Sequence, residues 1–169
     1  VSAEVDFFTQ QDIDEIKVKY DFFQKALDSK VKEKELENAE RIKSKKGVNS
    51  LSAEEQQECR NKAKSQAERE MKDDPSFASY DQYCRIKESG KSLSDLEQYR
   101  TISAGSVEEL MNGVLNQFVG SSGAFMPFTK SVTLHIPEKG LQGLQIIDTP
   151  GINDPVTSRG ERTEQLLQD

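Results

Sequence analysis

The chain has 169 residues, of which 34% are hydrophobic and 31% charged, with no Trp and a formal net charge of −7. That composition describes a water-facing protein or a piece of one, although a chain of about 150 residues is long enough to bury a real core. The acidic balance excludes a dominant nucleic-acid surface, which needs clustered Lys and Arg, and a single His with two Cys excludes a Cys/His zinc site.

Residues 3–8 alternate small or apolar with acidic side chains and predict a short strand. From Gln10 the period changes. Ile13, Ile16, Tyr20, Phe23, Leu27 and Val31 recur at three- and four-residue intervals, the signature of one helix face. Beyond Val31 the apolar stripe thins, and mixed Lys and Glu to Lys46 predict a solvated helical extension. The Gly47-Val48-Asn49-Ser50 stretch breaks it. Ser52 followed by Glu55 has capping-box spacing and opens a helix whose stripe is Cys59, Ala63, Ala67 and Met71. So narrow a stripe suits one neighbour and cannot anchor a core. Asp73, Asp74 and Pro75 stop that helix, and Phe77, Tyr80, Tyr83, Cys84 and Ile86 predict another.

After Gly105 the texture is that of a packed domain. Ser106 and Glu109 repeat the capping-box spacing and predict one helix through Leu110, Met111, Val114, Leu115 and Phe118. Residues 120–123 read as a loop, 131–136 as a strand with His135 as a structural member, and 137–140 as a turn. Residues 144–147 read as a second strand ending on Asp148, with a last helix capped by Thr157 or Ser158. The organisation expected is a strand of a partial α/β domain (residues 1–9), a helical insertion (10–104) and a return to that domain (105–169). Val1 is not Met and the last residues lie in a helical pattern, so the chain reads as an internal piece of a longer protein. Cys59 and Cys84 have neither metal nor redox spacing and, without a signal-like segment, fit a reduced, cytoplasmic setting. No run approaches the roughly 18 apolar residues of a membrane span, so membrane contact would be peripheral or lie outside this chain.

The stretch "QIIDTPGIND" (145–154) carries the chemistry. In open α/β sheets ligands sit beyond the carboxyl ends of strands. An Asp there can hold Mg²⁺ through water, and a Gly just after it lets the backbone approach a terminal phosphate. Pro150 stiffens the approach, and the loop after Gly151 can order with the phosphate and relax without it. The bland alternative is an ordinary turn after a strand.

"GLQIIDTPGINDP" followed by "SRGERT" resembles the switch II region of GTPases, in particular of bacterial dynamin-like proteins. "FMPFTKSVTLHIP" resembles the neighbouring strand of that family, and "SAEVDFFTQQDIDEI" the strand and helix after switch I. The resemblance implies a partial P-loop GTPase-type sheet bearing a long helical insertion. It implies that the parent protein is a hydrolase of GTP with Mg²⁺. Asp148 would act on Mg²⁺ through water, the Gly151 amide would meet the γ-phosphate, and Thr149 and Pro150 would complete the motif. Asn153, Asp154, Ser158 and Arg159 lie where switch II moves. The family further implies self-association through GTPase domains, often coupled to peripheral membrane contact.

The chain departs from that pattern. The phosphate-binding loop needs G-x-x-x-x-G-K-[ST], and the one partial match, "RIKESGKS" (85–92), has Arg85 where the first Gly belongs. With helical pattern on both sides, it predicts a turn between helices. The guanine-reading Asn/Thr-Lys-x-Asp motif is missing too. Thr129 is a candidate for the switch I threonine, against a role as a strand-opening residue. The 169 residues alone are therefore expected to be inactive towards GTP. The competing reading is a non-catalytic, helix-rich interaction module that retains a degenerate switch strand.

Overall fold

The computed structural model describes residues 1–142. They form a mixed α/β structure, mostly helical, with one three-stranded antiparallel sheet. In strand β1 (Ser2–Phe7), Ala3, Val5 and Phe7 are buried while Glu4 and Asp6 face water, so the period-two pattern of the sequence is used directly. β1 is the central strand of the order β2-β1-β3.

Strand β2 (Thr101–Ser103) lies inside the stretch expected to be helical. Three residues are too few for alternation to show, and pairing with β1 defines the strand: Ser2 opposite Ser103, Ala3 opposite Ile102, Glu4 opposite Thr101. The Val5 amide also donates to the Arg100 carbonyl at 2.9 Å. The chain thus leaves the sheet after Phe7 and comes back beside the strand it left. Strand β3 (Thr129–His135) opens two residues earlier than the alternation predicts and pairs with the other edge of β1. Asp6 faces Ser131 while Phe7 faces Thr129, so Lys130 is the extra residue of a bulge.

Between β1 and β2 run four α-helices and a 3₁₀ turn (Glu97–Tyr99). Helix α1 (Gln10–Lys46) starts at a Thr9/Asp12 capping box and ends at Gly47, whose φ of 67° is left-handed. Its 37 residues extend about 55 Å at 1.5 Å per residue. Helix α2 (Ala53–Glu70) starts at the Ser52/Glu55 capping box. Helix α3 (Phe77–Ser89) ends at Gly90, and a single turn, α4 (Leu93–Leu96), follows. The small stripe of α2 packs as expected on one neighbour: Cys59, Ala63 and Ala67 are buried, and α1 is what they face.

The outer half of α1 is mostly exposed, as a solvated extension would be, but one of its faces has a neighbour the expectation left out. It is seamed to α2 by polar contacts: Asn38, buried, donates from Nδ2 to Gln66 Oε1 at 3.0 Å. Lys30 and Lys34 both reach Glu70, at 3.4 and 3.3 Å, and Arg60 reaches Glu35 at 3.5 Å. Long charged side chains cover the thin apolar stripe with their stems, which hydrophobic periodicity does not register.

The single helix expected from Ser106 is two. Helix α5 (Val107–Asn112) stops at Gly113, and α6 (Asn116–Val119) resumes after a turn. A side chain at Gly113 would meet the Glu109 carbonyl oxygen at 2.8 Å, so glycine permits the break. The second capping box is only half formed: Ser106 Oγ accepts from the Glu109 amide, but the Glu109 carboxylate accepts from the Gly105 amide instead.

Two cores result. The larger joins β1 to Leu96, Leu110, Leu115, Phe118 and Phe128. The smaller joins α1, α2 and α3 through Phe23, Leu27 and Ala67, with Phe77 and Tyr80 against them. Tyr20 stacks on Tyr80 with centroids 5.2 Å apart, and Lys87 lies 5.1 Å from the Tyr20 ring centroid. Among the described residues no helix is long and apolar enough to cross a membrane.

Candidate functional site

Asp148, Thr149, Pro150 and Gly151 lie outside the described residues, as do Asn153, Asp154, Ser158, Arg159 and the expected strand 144–147. What is described is the approach to them: β3, antiparallel to β1, followed by a short helical turn at Lys139–Leu141.

Thr129, the switch I candidate, is the first residue of β3 and is 6% exposed. Its hydroxyl donates to the Phe125 carbonyl at 3.1 Å, closing the 3₁₀ turn at Met126–Phe128 that feeds the strand. The turn is fixed from the other side by α3. Gln82 Nε2 donates to the Pro127 carbonyl at 2.8 Å, and Arg85 donates to the Ser121 and Gly123 carbonyls at 3.0 and 3.4 Å. Sequence reading missed this clasp, because its acceptors are backbone oxygens some 40 residues away that carry no residue signal.

The partial phosphate-loop match is a turn between α3 and α4. A phosphate cradle works by pointing free backbone amides at its ligand. Here the amides are committed: Gly90 N donates to the Lys87 carbonyl at 3.2 Å, Lys91 N to Ser89 Oγ at 3.2 Å and Ser92 N to Asp95 Oδ2 at 2.8 Å. The Ser92 amide, then its hydroxyl, hold the Asp95 carboxyl below its ordinary value, so a negative charge occupies the place a phosphate would take.

His135 Nε2 lies 3.3 Å from Glu4 Oε1 across the β1–β3 pair, on an exposed face. Both cysteines are free; Cys59 is buried, and burial pushes the Cys84 thiol up, away from the thiolate a nucleophile needs. Among the described residues no group of three or more His, Cys, Asp or Glu is gathered to hold a metal.

A groove that sequence reading did not single out lies at the far end of the α1–α2 pair. It measures about 520 Å³, between α1 and residues 49–51. Its helical wall is Lys32, Glu35, Leu36, Ala39 and Lys43, an i, i+3, i+4, i+7, i+11 stripe that spacing alone could have revealed. No family model, curated protein or solved structure matches this chain.

Proposed function

We propose that this chain is part of a dynamin-like GTPase that binds and hydrolyses GTP with Mg²⁺. The observation that carries the reading is the apolar run Leu144–Ile147 ending in Asp148-Thr149-Pro150-Gly151. Asp148 would orient Mg²⁺ through water, and Gly151 would bring its amide to the γ-phosphate. Two features of the fold are compatible with it. The helices between Phe7 and Thr101 leave and rejoin one sheet, as an insertion in a sheet domain must. The β3 strand, buttressed by α3, leads through one short turn towards the motif.

On this reading, since "SGKS" spends its amides on its own turn, the phosphate cradle and the base-reading loop would be supplied by sequence other than these 169 residues. Hydrolysis would then release the loop after Gly151 and change an assembly contact between GTPase domains.

The test is Asp148→Ala in the longer protein. Mg²⁺-dependent GTP turnover should fall by about a hundredfold or more, the scale for removing one positioned charge group at a phosphoryl-transfer centre. Unchanged turnover with an intact fold would remove Asp148 from the mechanism. Calorimetry of the 169-residue chain with GTP and Mg²⁺ should show no heat of binding, and micromolar affinity would refute the assignment of the cradle to other sequence.

A further inference from the structure

We propose that Asn112, at the break between α5 and α6, is a site of spontaneous deamidation through cyclisation onto the Gly113 amide. The reaction needs an asparagine side chain free to fold back and a following amide nitrogen free to attack it. Asn112 is the last residue of α5, and both it and Gly113 are exposed. The amides that cap α1, α2 and α3 each donate back into their helix, whereas among the described residues the Gly113 amide forms no such cap bond. The Asn112 side chain likewise has no hydrogen bond among the described residues. Helix ends fray, and α5 has only six residues. Glycine, with no Cβ, is also the least hindered nucleophile an asparagine can precede.

The other described asparagines each lack one requirement. Asn38 is buried and donates from Nδ2 to Gln66. Asn61 lies inside α2, where it accepts from Gln57 Nε2 at 2.9 Å. Asn116 precedes Gln117, whose amide donates to the Val114 carbonyl at 3.0 Å. Asn49 is exposed and outside any helix, but the Ser50 side chain crowds the attacking nitrogen.

The Gly113 nitrogen loses its proton to base and attacks Asn112 Cγ. A C–N bond forms, the Cγ–Nδ2 bond breaks, and the side-chain nitrogen takes up a proton and leaves as ammonia. Water then opens either carbonyl of the succinimide, giving aspartate or isoaspartate, and nothing is oxidised or reduced. Both products add a carboxylate three and four residues after Glu109 and Glu108, at a helix C-terminus with no basic residue in its last turn. Isoaspartate also lengthens the backbone by a methylene between Leu110 and Leu115, which are both buried in the larger core. Deamidation here therefore loosens the seat of α5 and α6.

The test incubates the folded 169-residue chain in mildly alkaline buffer and maps its peptides by mass spectrometry, with ammonia release measured alongside. Conversion at Asn112 is expected first, several-fold faster than at Asn49, with aspartate and isoaspartate both formed and the rate rising with pH. Asn112→Gln, a change at an exposed position whose fold circular dichroism checks, should abolish the early ammonia. The urea midpoint of the incubated chain should fall, while that of the incubated Asn112→Gln chain should hold. The proposal is overturned if Asn112 stays intact in the folded chain, if Asn49 reacts as fast, or if aspartate forms without isoaspartate. An unchanged midpoint after full conversion would overturn the structural consequence.

Discussion

Gln82 Nε2 donates a 2.8 Å hydrogen bond to the carbonyl oxygen of Pro127, inside the core and across 45 residues of chain. The bond ties helix α3 to the turn that launches β3. Gln82 Oε1 finds no partner among the described residues, so this contact rests on one bond. Gln82→Ala should destabilise the fold by about 2 kcal/mol, because it leaves the Pro127 carbonyl buried and unpaired and opens a small void. Urea denaturation checks this, and a shift below about 0.5 kcal/mol would show that water replaces the bond without loss.

The α1–α2 contact should be intolerant of volume. Ala63 is fully buried against α1. Ala63→Leu is expected to cost about 1–3 kcal/mol by forcing the helices apart. Lys62→Leu, one position away on the exposed face, should stay within about 0.5 kcal/mol. The same denaturation assay separates the two.

Acid should loosen this helical pair first. The Lys34 hydrogen bond, aided by Lys30, holds the Glu70 carboxyl below its ordinary 4.5, and the Lys46 hydrogen bond does the same for Glu55, with the Ser52 amide second. A carboxyl whose folded pKa is lowered contributes stability that is present above 4.5 and lost as pH falls through the lowered value. Glu70 is exposed and Glu55 half-buried at the surface, so the effect is modest. The urea midpoint should decline below about pH 4.5, and Glu70→Gln should flatten that decline.

Alkali acts at α3. Burial, then the neighbouring Cys84, push the Tyr80 hydroxyl from 10.0 up to about 12. The neutral phenol is the favoured folded form, so its contribution is whole below pH 10 and lost between 10 and about 12. Spectrophotometric titration should show one tyrosine ionising late, and Tyr80→Phe should remove that phase.

The Gly90-Lys91-Ser92 turn should matter to the fold and not to nucleotide. Gly90 has a φ of 62° with open space around it, so Gly90→Ala should cost about 1 kcal/mol from backbone strain alone. If the chain belongs to a GTPase as proposed, Lys91→Ala in that protein should leave GTP turnover unchanged, measured by phosphate release. A phosphate-loop lysine would instead abolish it.

What the sequence determined by itself was local. Glycine at 47 and 90 marked helix ends because a left-handed residue there needs no partner elsewhere, and Ser52 with Glu55 closed its capping box within one turn. The four-residue spacing of Cys59, Ala63 and Ala67 foretold a face for one neighbour. The tertiary structure alone decided the rest. Strand β2 exists because Thr101–Ser103 meets the edge of β1, the predicted helix from Ser106 breaks at Gly113 so that Leu110, Leu115 and Phe118 all reach one core, and Glu70 finds two lysines of another helix. Each of these depends on partners remote in the chain, and side-chain periodicity encodes which face is buried without encoding against what.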